Sequence, residues 1–280
     1  MNIENILNSG IKTLNKFNIK NPQLDCELLL SKVIQKDSKY FILNLKENLD
    51  KIYLNKFNSL VKRRANGEPL AYLINKKDFW KETFYVDKSV LIPRPDTEHM
   101  VEDVLKNTQK NSKLHILDIG TGSGCILLSI LKERQNFRGT ALDISKKCIK
   151  ISKYNAKKLQ LYDRIKFYIS DVDNFNIGKY DIIISNPPYI ENLSLKYLDK
   201  DVINFEPKLA LSGGCDGFSK INKVINRTST LIKRNGLFFL EIGYKQKNKV
   251  IDLLKRKSFY IKKVLKDYGR NDRCIVSIKL

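Results

Sequence analysis

The stretch from residue 114 to 133, LHILDIGTGSGCILLSILKE, joins a strand pattern to a helix pattern through a short glycine-rich turn. A strand followed directly by a helix predicts a βα unit, and successive units of this kind place their strands in a parallel sheet. The strand of this first unit is predicted at 114–119. Amphipathic segments separate most of the further apolar strand patterns, which lie at 139–144, 164–169, 180–185, 236–242, 259–266 and 273–279. The later part of the chain is therefore predicted to be an α/β domain with a mainly parallel, mixed sheet of seven strands.

Residues 1–75 follow a helical pattern instead, with apolar residues at spacings of three and four. One helix is predicted to begin at Pro22 after a capping Asn21. Its apolar stripe is predicted to contain Leu24, Leu28 and Leu29. This region is expected to be a small helical bundle that forms a domain of its own.

Residues 76–95 are rich in aromatic and β-branched residues, which indicates either a short hairpin or an extended connector. Asp96 or Thr97 is predicted to cap the helix that follows. The expected division is thus a helical domain at 1–75, a hairpin or linker at 76–95 and an α/β domain at 96–280.

Cysteine usage and hydropathy limit the class of protein. The five cysteines form no CxxC pair and only two histidines are present, so neither a structural zinc site nor a disulfide framework is predicted. No apolar run is long enough to span a membrane, and the first residues do not resemble a signal peptide. A cytoplasmic protein without a metal or a membrane partner is expected.

The formal net charge of +22 is compatible with nucleic-acid binding. The lysines are spread from end to end, however, including on faces that look merely solvated. A compositional bias therefore explains much of the excess, and no specific DNA partner is expected.

The glycine loop (residues 120–124) offers the first candidate ligand site. Its glycines, Gly120, Gly122 and Gly124, allow a ligand to approach the backbone closely, and the helix that follows supplies unpaired N–H groups. The spacing is G-x-G-x-G rather than the G-x-G-x-x-G of dinucleotide sites. Asp118, just before the loop, would repel a pyrophosphate but suits an ammonium group, so a cationic amino-acid moiety fits better.

Acidic residues also end the next two strands. Asp143 is placed to accept hydrogen bonds from both hydroxyls of a ribose. Asp171 and Val172 together offer a polar group and an apolar face, which suit the edge and the ring of adenine. Either aspartate alone would more often be a helix cap, and only their order along successive strands makes them site candidates.

The strand predicted at 180–185 is followed directly by two prolines, in the sequence DIIISNPPYI at 181–190. Two prolines cannot extend a buried strand, so the strand is predicted to stop at Asn186. Pro187 and Pro188 have fixed φ angles and no N–H, which makes the NPPY loop (residues 186–189) stiff and leaves its carbonyls and side chains free. The loop lies at the sheet edge where open α/β sheets bind ligands.

The segment from Asp118 to Gly124, with Thr121 and Ser123 between the glycines, together with Asp143, Asp171 and the NPPY loop resembles class I S-adenosylmethionine-dependent methyltransferases that methylate planar nitrogen atoms. The chain is more specifically similar to the HemK/PrmC family, the protein-glutamine N5-methyltransferases of peptide chain release factors. Five further stretches carry that resemblance: RANGEPLAYLI at 64–74, VLIPRPDTE at 90–98, EPKLALSGGCDG at 206–217, LEIGYKQ at 240–246 and DYGRNDR at 267–273. The resemblance covers essentially the whole chain. It departs at Val172, where many relatives carry an aromatic residue, and this concerns cofactor affinity.

The resemblance implies a Rossmann-like fold, S-adenosylmethionine as cofactor and the glutamine of the Gly-Gly-Gln motif of class I release factors as substrate. The Asn186 side-chain oxygen and the Pro187 carbonyl would accept the two N–H bonds of the glutamine amide, and Tyr189 would pack against its flat face. The resemblance also implies that Asn186 contacts the cofactor and that Pro188 contacts the substrate. Residues 1–75 would dock the protein substrate, and a monomer is expected. Three alternatives remain open: glutamine methylation of a ribosomal protein, adenine-N6 methylation of a nucleic acid, and a binding module without catalysis.

Overall fold

The computed structural model describes the backbone of residues 1–280 and every side chain except those of Ser38 and Ile42. The chain forms two compact units. The first contains Met1–Lys76 and Asp199–Phe205, and the second contains Lys77–Leu198 and Glu206–Leu280.

The longer segment of the first unit, Met1–Lys76, is mainly helical. Its helices are α1 (Ile3–Lys16), α2 (Pro22–Ile34), α3 (Ser38–Leu43), α4 (Lys51–Ala65) and α5 (Leu70–Ile74). The predicted start of α2 at Pro22 is confirmed, but the Asn21 side chain makes no capping hydrogen bond. The predicted stripe is wrong at Leu24, which is 52% exposed, because the buried face of α2 contains Cys26, Leu29 and Leu30. Leucine occupies positions 24, 28, 29 and 30 of α2, which lie on more than one face of the helix, so the sequence leaves the register of the buried face ambiguous.

The second unit begins with an antiparallel hairpin, as one of the two alternatives for this region predicted. The elements from residue 77 to residue 169 are β1 (Lys77–Phe79), β2 (Glu82–Phe84), α6 (Glu98–Lys106), β3 (His115–Ile119), α7 (Cys125–Glu133), β4 (Arg138–Asp143), α8 (Lys146–Lys158) and β5 (Ile165–Ile169). The elements of this unit from residue 180 onward are β6 (Tyr180–Ser185), β7 (Ile190–Glu191), α10 (Lys208–Leu211), β8 (Ser212–Gly214), α11 (Ser219–Leu231), β9 (Ile232–Glu241), α12 (Lys247–Arg256), β10 (Phe259–Lys266) and β11 (Asp272–Lys279). Helix α9 (Lys200–Phe205) intervenes in sequence and belongs to the first unit.

The assignment of α9 differs from the predicted division at 96–280. Its sequence, KDVINF, carries no signal of the unit in which it packs. A division read along the chain keeps neighbouring residues together, whereas folding returns this later segment to the earlier unit.

Seven strands form one mixed sheet in the order β10-β11-β9-β6-β3-β4-β5. The five strands from β9 to β5 in that order run parallel, and β11 pairs antiparallel with β9 and with β10. All seven predicted strands are present, and six of them agree within one residue at each end. The exception is β9, which begins at Ile232, four residues before its predicted start.

Both faces of the sheet are covered. Ile182 and Ile184 of β6 face one hydrophobic cluster with α6 and α7, whereas Ile183 between them faces a second cluster with α11 and α12. This explains why β6 is a continuous apolar run rather than an alternating one. Burial on both faces fixes the strand ends, and therefore the position of the loops that follow them.

Within the described part of the chain, no helix is both long and apolar enough to cross a membrane.

Candidate active site

A cleft of about 460 Å³ lies at the carboxyl ends of the parallel strands of the second unit. Strand β3 pairs with β4 on one side and with β6 on the other, so the strand order reverses at β3. Open α/β sheets bind ligands at such a reversal. Ten of the residues predicted from the sequence line this cleft: Gly120, Thr121, Gly122, Ser123, Asp143, Asp171, Val172, Asn186, Pro187 and Pro188.

The glycine loop requires glycine for its backbone conformation. Gly120, Gly122 and Gly124 have φ angles of +77°, +54° and +83°, a region that residues with a Cβ rarely adopt. A Cβ at Gly120 would meet no atom within 4 Å, so this part of the loop is open to a ligand. At Gly124 it would lie 2.6 Å from Ser152 Oγ, because α7 packs closely against α8 there. The third glycine therefore serves packing and does not line the cleft.

Asp118 lies beneath the glycine loop rather than on the cleft wall. Its side chain is 1% exposed, and Thr121 Oγ1 donates to its Oδ2 at 2.8 Å. Burial raises the pKa of Asp118 to about 7. Its other oxygen, Oδ1, is buried without a hydrogen-bond partner among the described residues. An unpaired carboxylate oxygen at this depth stabilises positive charge nearby, which fits the ammonium group of S-adenosylmethionine.

Asp143 connects the ends of two structural elements. Its Oδ2 accepts from the Gly122 N–H at 3.0 Å, and its Oδ1 accepts from the Ser145 N–H at 2.9 Å. Burial raises the pKa of Asp143. Each carboxylate oxygen keeps a second lone pair, so the predicted ribose contact is compatible with these bonds. The carboxylate thus also fixes the glycine loop, a role that the sequence did not reveal.

We predict that Asp143→Ala weakens the binding of S-adenosylmethionine by about 1 to 3 kcal/mol, because it removes the hydrogen bond to the glycine loop and the carboxylate expected to accept from the ribose hydroxyls. Titration calorimetry with the purified enzyme measures this change. Asp181→Ala is the matched control, since Asp181 also accepts two hydrogen bonds, from His115 N and Lys233 Nζ, but lies at the other end of β6. Equal cofactor affinities of the two variants would remove Asp143 from the site.

Asp171 and Val172 follow β5 on the same edge. The Asp171 Oδ1 accepts from the Asp173 N–H at 3.0 Å, so the carboxylate caps a short 3₁₀ turn while lining the cleft. Val172 packs partly against the second hydrophobic cluster. Their positions fit the predicted contacts with adenine, with Val172 supplying a smaller apolar face than an aromatic ring would.

The NPPY loop begins directly where β6 ends at Ser185. Pro187 is buried, and its carbonyl accepts no hydrogen bond from the described part of the chain. The loop is held from behind by Gln246, whose Nε2 donates to the carbonyls of Tyr189 at 3.1 Å and Gly217 at 2.9 Å. These contacts explain why the stretches around Gly217 and Gln246 accompany the NPPY sequence: both support its loop.

The Asn186 side chain belongs to a line of three hydrogen-bonding residues. Its Nδ2 lies 3.4 Å from Thr97 Oγ1, and Thr97 Oγ1 lies 2.7 Å from Glu241 Oε2. Thr97 and Glu241 are each 3% exposed. Of the two predicted capping residues, Asp96 and Thr97, it is Thr97 that occupies the N-cap position of α6, but its hydroxyl bonds to Glu241 and makes no capping hydrogen bond. With Nδ2 turned towards Thr97, the Asn186 Oδ1 is left for a ligand in the cleft.

Tyr189, which the resemblance places against the substrate amide, is partly buried at the end of the NPPY loop. Its ring packs against the second hydrophobic cluster, and Arg273 Nη1 lies 3.4 Å from its hydroxyl. Burial raises the pKa of Tyr189 to about 12, so its hydroxyl remains protonated. Tyr189 does not line the cleft and is an anchor for the NPPY loop.

Sequence reasoning missed Glu241 as a functional residue of this site. Glu241 ends the apolar strand pattern of β9, and a lone carboxylate in such a run is a signal for a buried polar contact. Arg94 lines the cleft and pairs with the buried Glu206 at 2.6 Å. Glu206 also accepts from the Ile92 N–H, so it fixes the VLIPRPDTE segment along one wall of the cleft.

Two family models match the chain. The PrmC N-terminal domain matches residues 5–74, and the methyltransferase small domain matches residues 97–206. The first match corresponds to the helical region, and the second runs from Thr97 through the glycine loop and the NPPY loop.

Named relatives align with nearly the whole chain. The release factor glutamine methyltransferase of Buchnera aphidicola subsp. Schizaphis graminum is 39% identical, over 98% of each chain. The protein of that name from Clostridium acetobutylicum is 34% identical, over 100% of this chain and 99% of its own. The bifunctional methyltransferase of Rickettsia conorii is 36% identical over 98% of this chain, which spans only 57% of that longer protein.

Solved structures share the fold at lower identity. The ribosomal protein L11 methylase of Lactobacillus delbrueckii subsp. bulgaricus aligns with 73% of this chain and 92% of its own, at a TM-score of 0.53 and 19% identity. A methyltransferase of Pyrococcus furiosus aligns with 70% and 88%, at a TM-score of 0.53 and 15% identity.

The predicted methyltransferase fold is therefore confirmed, and the S-adenosylmethionine expected from the resemblance agrees with the matched methyltransferase domain. Full-length identity of 34–39% to named relatives is decisive for the family. The chain belongs to the release factor glutamine methyltransferase (PrmC) family.

Proposed function

We propose that this enzyme methylates the side-chain nitrogen N5 of the glutamine in the Gly-Gly-Gln motif of class I peptide chain release factors. The observation that carries the proposal is the Asn186 side chain, whose amide oxygen is left for the cleft beside the cofactor loops. A primary amide has two N–H donors, and Asn186 Oδ1 with the Pro187 carbonyl supplies two acceptors.

S-adenosylmethionine, when bound, supplies a methyl group made electrophilic by a positively charged sulfur. The glycine loop and Asp143 would hold it, with Asp118 balancing its ammonium charge and Asp171 and Val172 contacting adenine. The cleft of about 460 Å³ is within the range of roughly 300–1,000 Å³ typical for ligand sites.

The protein's own contribution is to position the amide nitrogen. Amide nitrogen is a poor nucleophile because its lone pair is delocalised into the carbonyl. Two acceptors that hold both N–H bonds aim the nitrogen at the methyl group. As the new N–C bond forms and the S–C bond breaks, positive charge grows on nitrogen and strengthens both hydrogen bonds. One of the two protons on the positively charged nitrogen is then acidic enough to pass to water, so no strong base is needed before methyl transfer.

The helical region matched by the PrmC N-terminal domain is proposed to dock the release factor. Its compact hydrophobic core, from Ile3 to Leu73, makes it a stable body that can present a surface to a protein. We further propose that the enzyme acts as a monomer in the cytoplasm, where release factors function.

Labelled methyl transfer tests this proposal when release factor, ribosomal proteins and duplex DNA are offered in parallel. The proposal expects label in the release factor and none in the other two. Label only in ribosomal proteins would instead support the related substrate, and label in DNA would contradict the protein-substrate class.

Adenine-N6 methylation of nucleic acid is the second candidate, favoured by the NPPY loop and by the net charge of +22. We predict that duplex DNA competes poorly with the release factor at physiological ionic strength, and that methylation of the release factor falls only moderately as salt rises. A filter-binding titration over a series of salt concentrations measures the DNA affinity, and the labelled-transfer assay at the same salt concentrations measures methylation. Tight DNA binding with a steep salt dependence would favour the nucleic-acid activity.

A further inference from the structure

Thr97, Asn186 and Glu241 come from three distant parts of the sequence and form one continuous hydrogen-bonded line. Glu241 ends β9, Thr97 precedes α6, and Asn186 follows β6. The line runs from a carboxylate that is 3% exposed to a side chain on the cleft wall. Each of these residues has a different capacity to donate and accept, so the direction of every bond can be deduced.

An ionised carboxylate has no hydrogen to donate, so Thr97 must donate its only hydroxyl hydrogen to Glu241 Oε2. The Thr97 oxygen then offers only lone pairs to its other neighbour. Asn186 can bond to it through Nδ2 and not through Oδ1. This deduction fixes the amide orientation by hydrogen-bond logic, independently of how nitrogen and oxygen are assigned.

We propose that Glu241 is a positioning residue that acts through Thr97 to keep the Asn186 amide oxygen facing the substrate, an inference that rests on the proposed function. In the flipped orientation, the Asn186 NH₂ group would face the NH₂ group of the substrate glutamine. Two donors would then oppose each other, and one of the two acceptors for the substrate would be lost.

The ionisation of Glu241 decides which orientation is stable. Burial, the largest influence, raises the pKa of Glu241 to about 7, while the Thr97 hydrogen bond and Arg273 lower it. The titratable or charged side chains that interact with it are Asp96, Cys125, Tyr189, Arg273 and Cys274. Below its pKa, Glu241 is protonated and can donate to Thr97. Thr97 can then turn its hydrogen towards Asn186, which stabilises the flipped amide.

Replacing Thr97 by valine keeps its shape but removes the hydroxyl. We expect the rate constant of methyl transfer, measured under single-turnover conditions with saturating cofactor, to fall on the order of 10- to 100-fold, because the Asn186 oxygen that accepts from the substrate loses its fixed orientation. Thr97→Ser keeps the hydroxyl and should restore most of the rate. Thr228→Val is the matched control, since Thr228 is also buried and its Oγ1 has no partner among the described residues.

The pH profile of Glu241→Gln separates positioning from a purely structural role. For the wild type, a pKa of about 7 predicts a kcat that is roughly tenfold lower at pH 6 than at pH 8. Glutamine does not titrate in this range, and its carbonyl can still accept from Thr97, so the part of the loss at low pH that comes from Glu241 should disappear. Asp118, whose pKa is also raised to about 7, is present in both enzymes and cannot account for a difference between them.

The inference is overturned if Thr97→Val has the kcat of the wild type, if Thr97→Ser restores nothing, or if the loss at low pH is as large in Glu241→Gln as in the wild type. The orientation of the Asn186 amide can also be tested without release factor, so the test does not depend on the proposed substrate. In the cofactor-bound enzyme at pH 8, NMR should show the Asn186 side-chain amide exchanging its protons on the order of tenfold faster in Thr97→Val than in the wild type. Equal exchange rates would contradict the inference, whereas a wild-type enzyme that leaves release factor unmodified would contradict only the proposed function.

Discussion

Asn186→Ala is expected to lower kcat for release factor methylation by about 10² to 10³, the loss typical of one interaction that strengthens in the transition state. The substitution removes the side-chain acceptor while leaving Pro187 and Pro188 to keep the loop stiff. Single-turnover kinetics with labelled cofactor measure the effect. Affinity for S-adenosylmethionine should change little, because the glycine loop and Asp143 remain.

Asn186→Asp is a sharper variant of the same test. It keeps an oxygen for the substrate but places a second carboxylate beside Thr97. Thr97 has one hydroxyl hydrogen, which it can donate either to this new carboxylate or to Glu241 but not to both. Partial activity is therefore expected. A folded, cofactor-binding Asn186→Ala enzyme that methylates release factor at nearly the wild-type rate would contradict the role of this residue.

Gly217→Ala is expected to destabilise the enzyme by about 3 to 5 kcal/mol and to lower activity, because two costs coincide. The residue has a φ of +67°, and a Cβ there would lie 2.6 Å from the Tyr189 carbonyl oxygen. That oxygen belongs to the NPPY loop, so relief of the clash would move the loop away from Gln246. Thermal denaturation measures the stability, and single-turnover kinetics measure the displacement of the loop.

Gly120→Ala is the matched control for stability in the absence of cofactor. Its φ of +77° carries a similar backbone cost, but no atom lies within 4 Å of the added Cβ. A loss of only about 1 to 2 kcal/mol is expected for it. Equal destabilisation of the two variants would show that the close approach to Tyr189 contributes nothing.

The sheet was predictable from the sequence because its strands are short apolar runs separated by amphipathic helices. β6 illustrates this: burial on both faces requires a continuous apolar run, and Pro187 marks its end. The register of α2 was not predictable, since leucines are present on several of its faces and local pattern does not select among them. The return of α9 to the helical unit depends on tertiary packing alone.

The cleft residues were predictable to the extent that their role requires a particular backbone. The glycines need positive φ angles and the prolines end a strand, and both requirements appear in the sequence. The pairing of Thr97 with Glu241 has no such local signature, because it joins positions 144 residues apart. The contact between Tyr189 and Arg273 has no local signature either, because the two residues are 84 positions apart.

The substrate depends on the family resemblance more than on any residue of the cleft. Two acceptors recognise a primary amide, yet they also suit the exocyclic amine of adenine. The two substrates differ in the macromolecule that carries the nitrogen, which is a protein for glutamine and a nucleic acid for adenine. The helical region of this chain matches the PrmC N-terminal domain, which favours the protein substrate.

The central claim is that the methyl group goes to a glutamine amide. Mass spectrometry of purified release factor, after incubation with this enzyme and isotope-labelled S-adenosylmethionine, locates the group directly. The account predicts one labelled methyl group on the glutamine of the Gly-Gly-Gln motif, strongly reduced with Asn186→Ala. A methyl group on another residue, or an unmodified release factor beside methylated DNA, would contradict it.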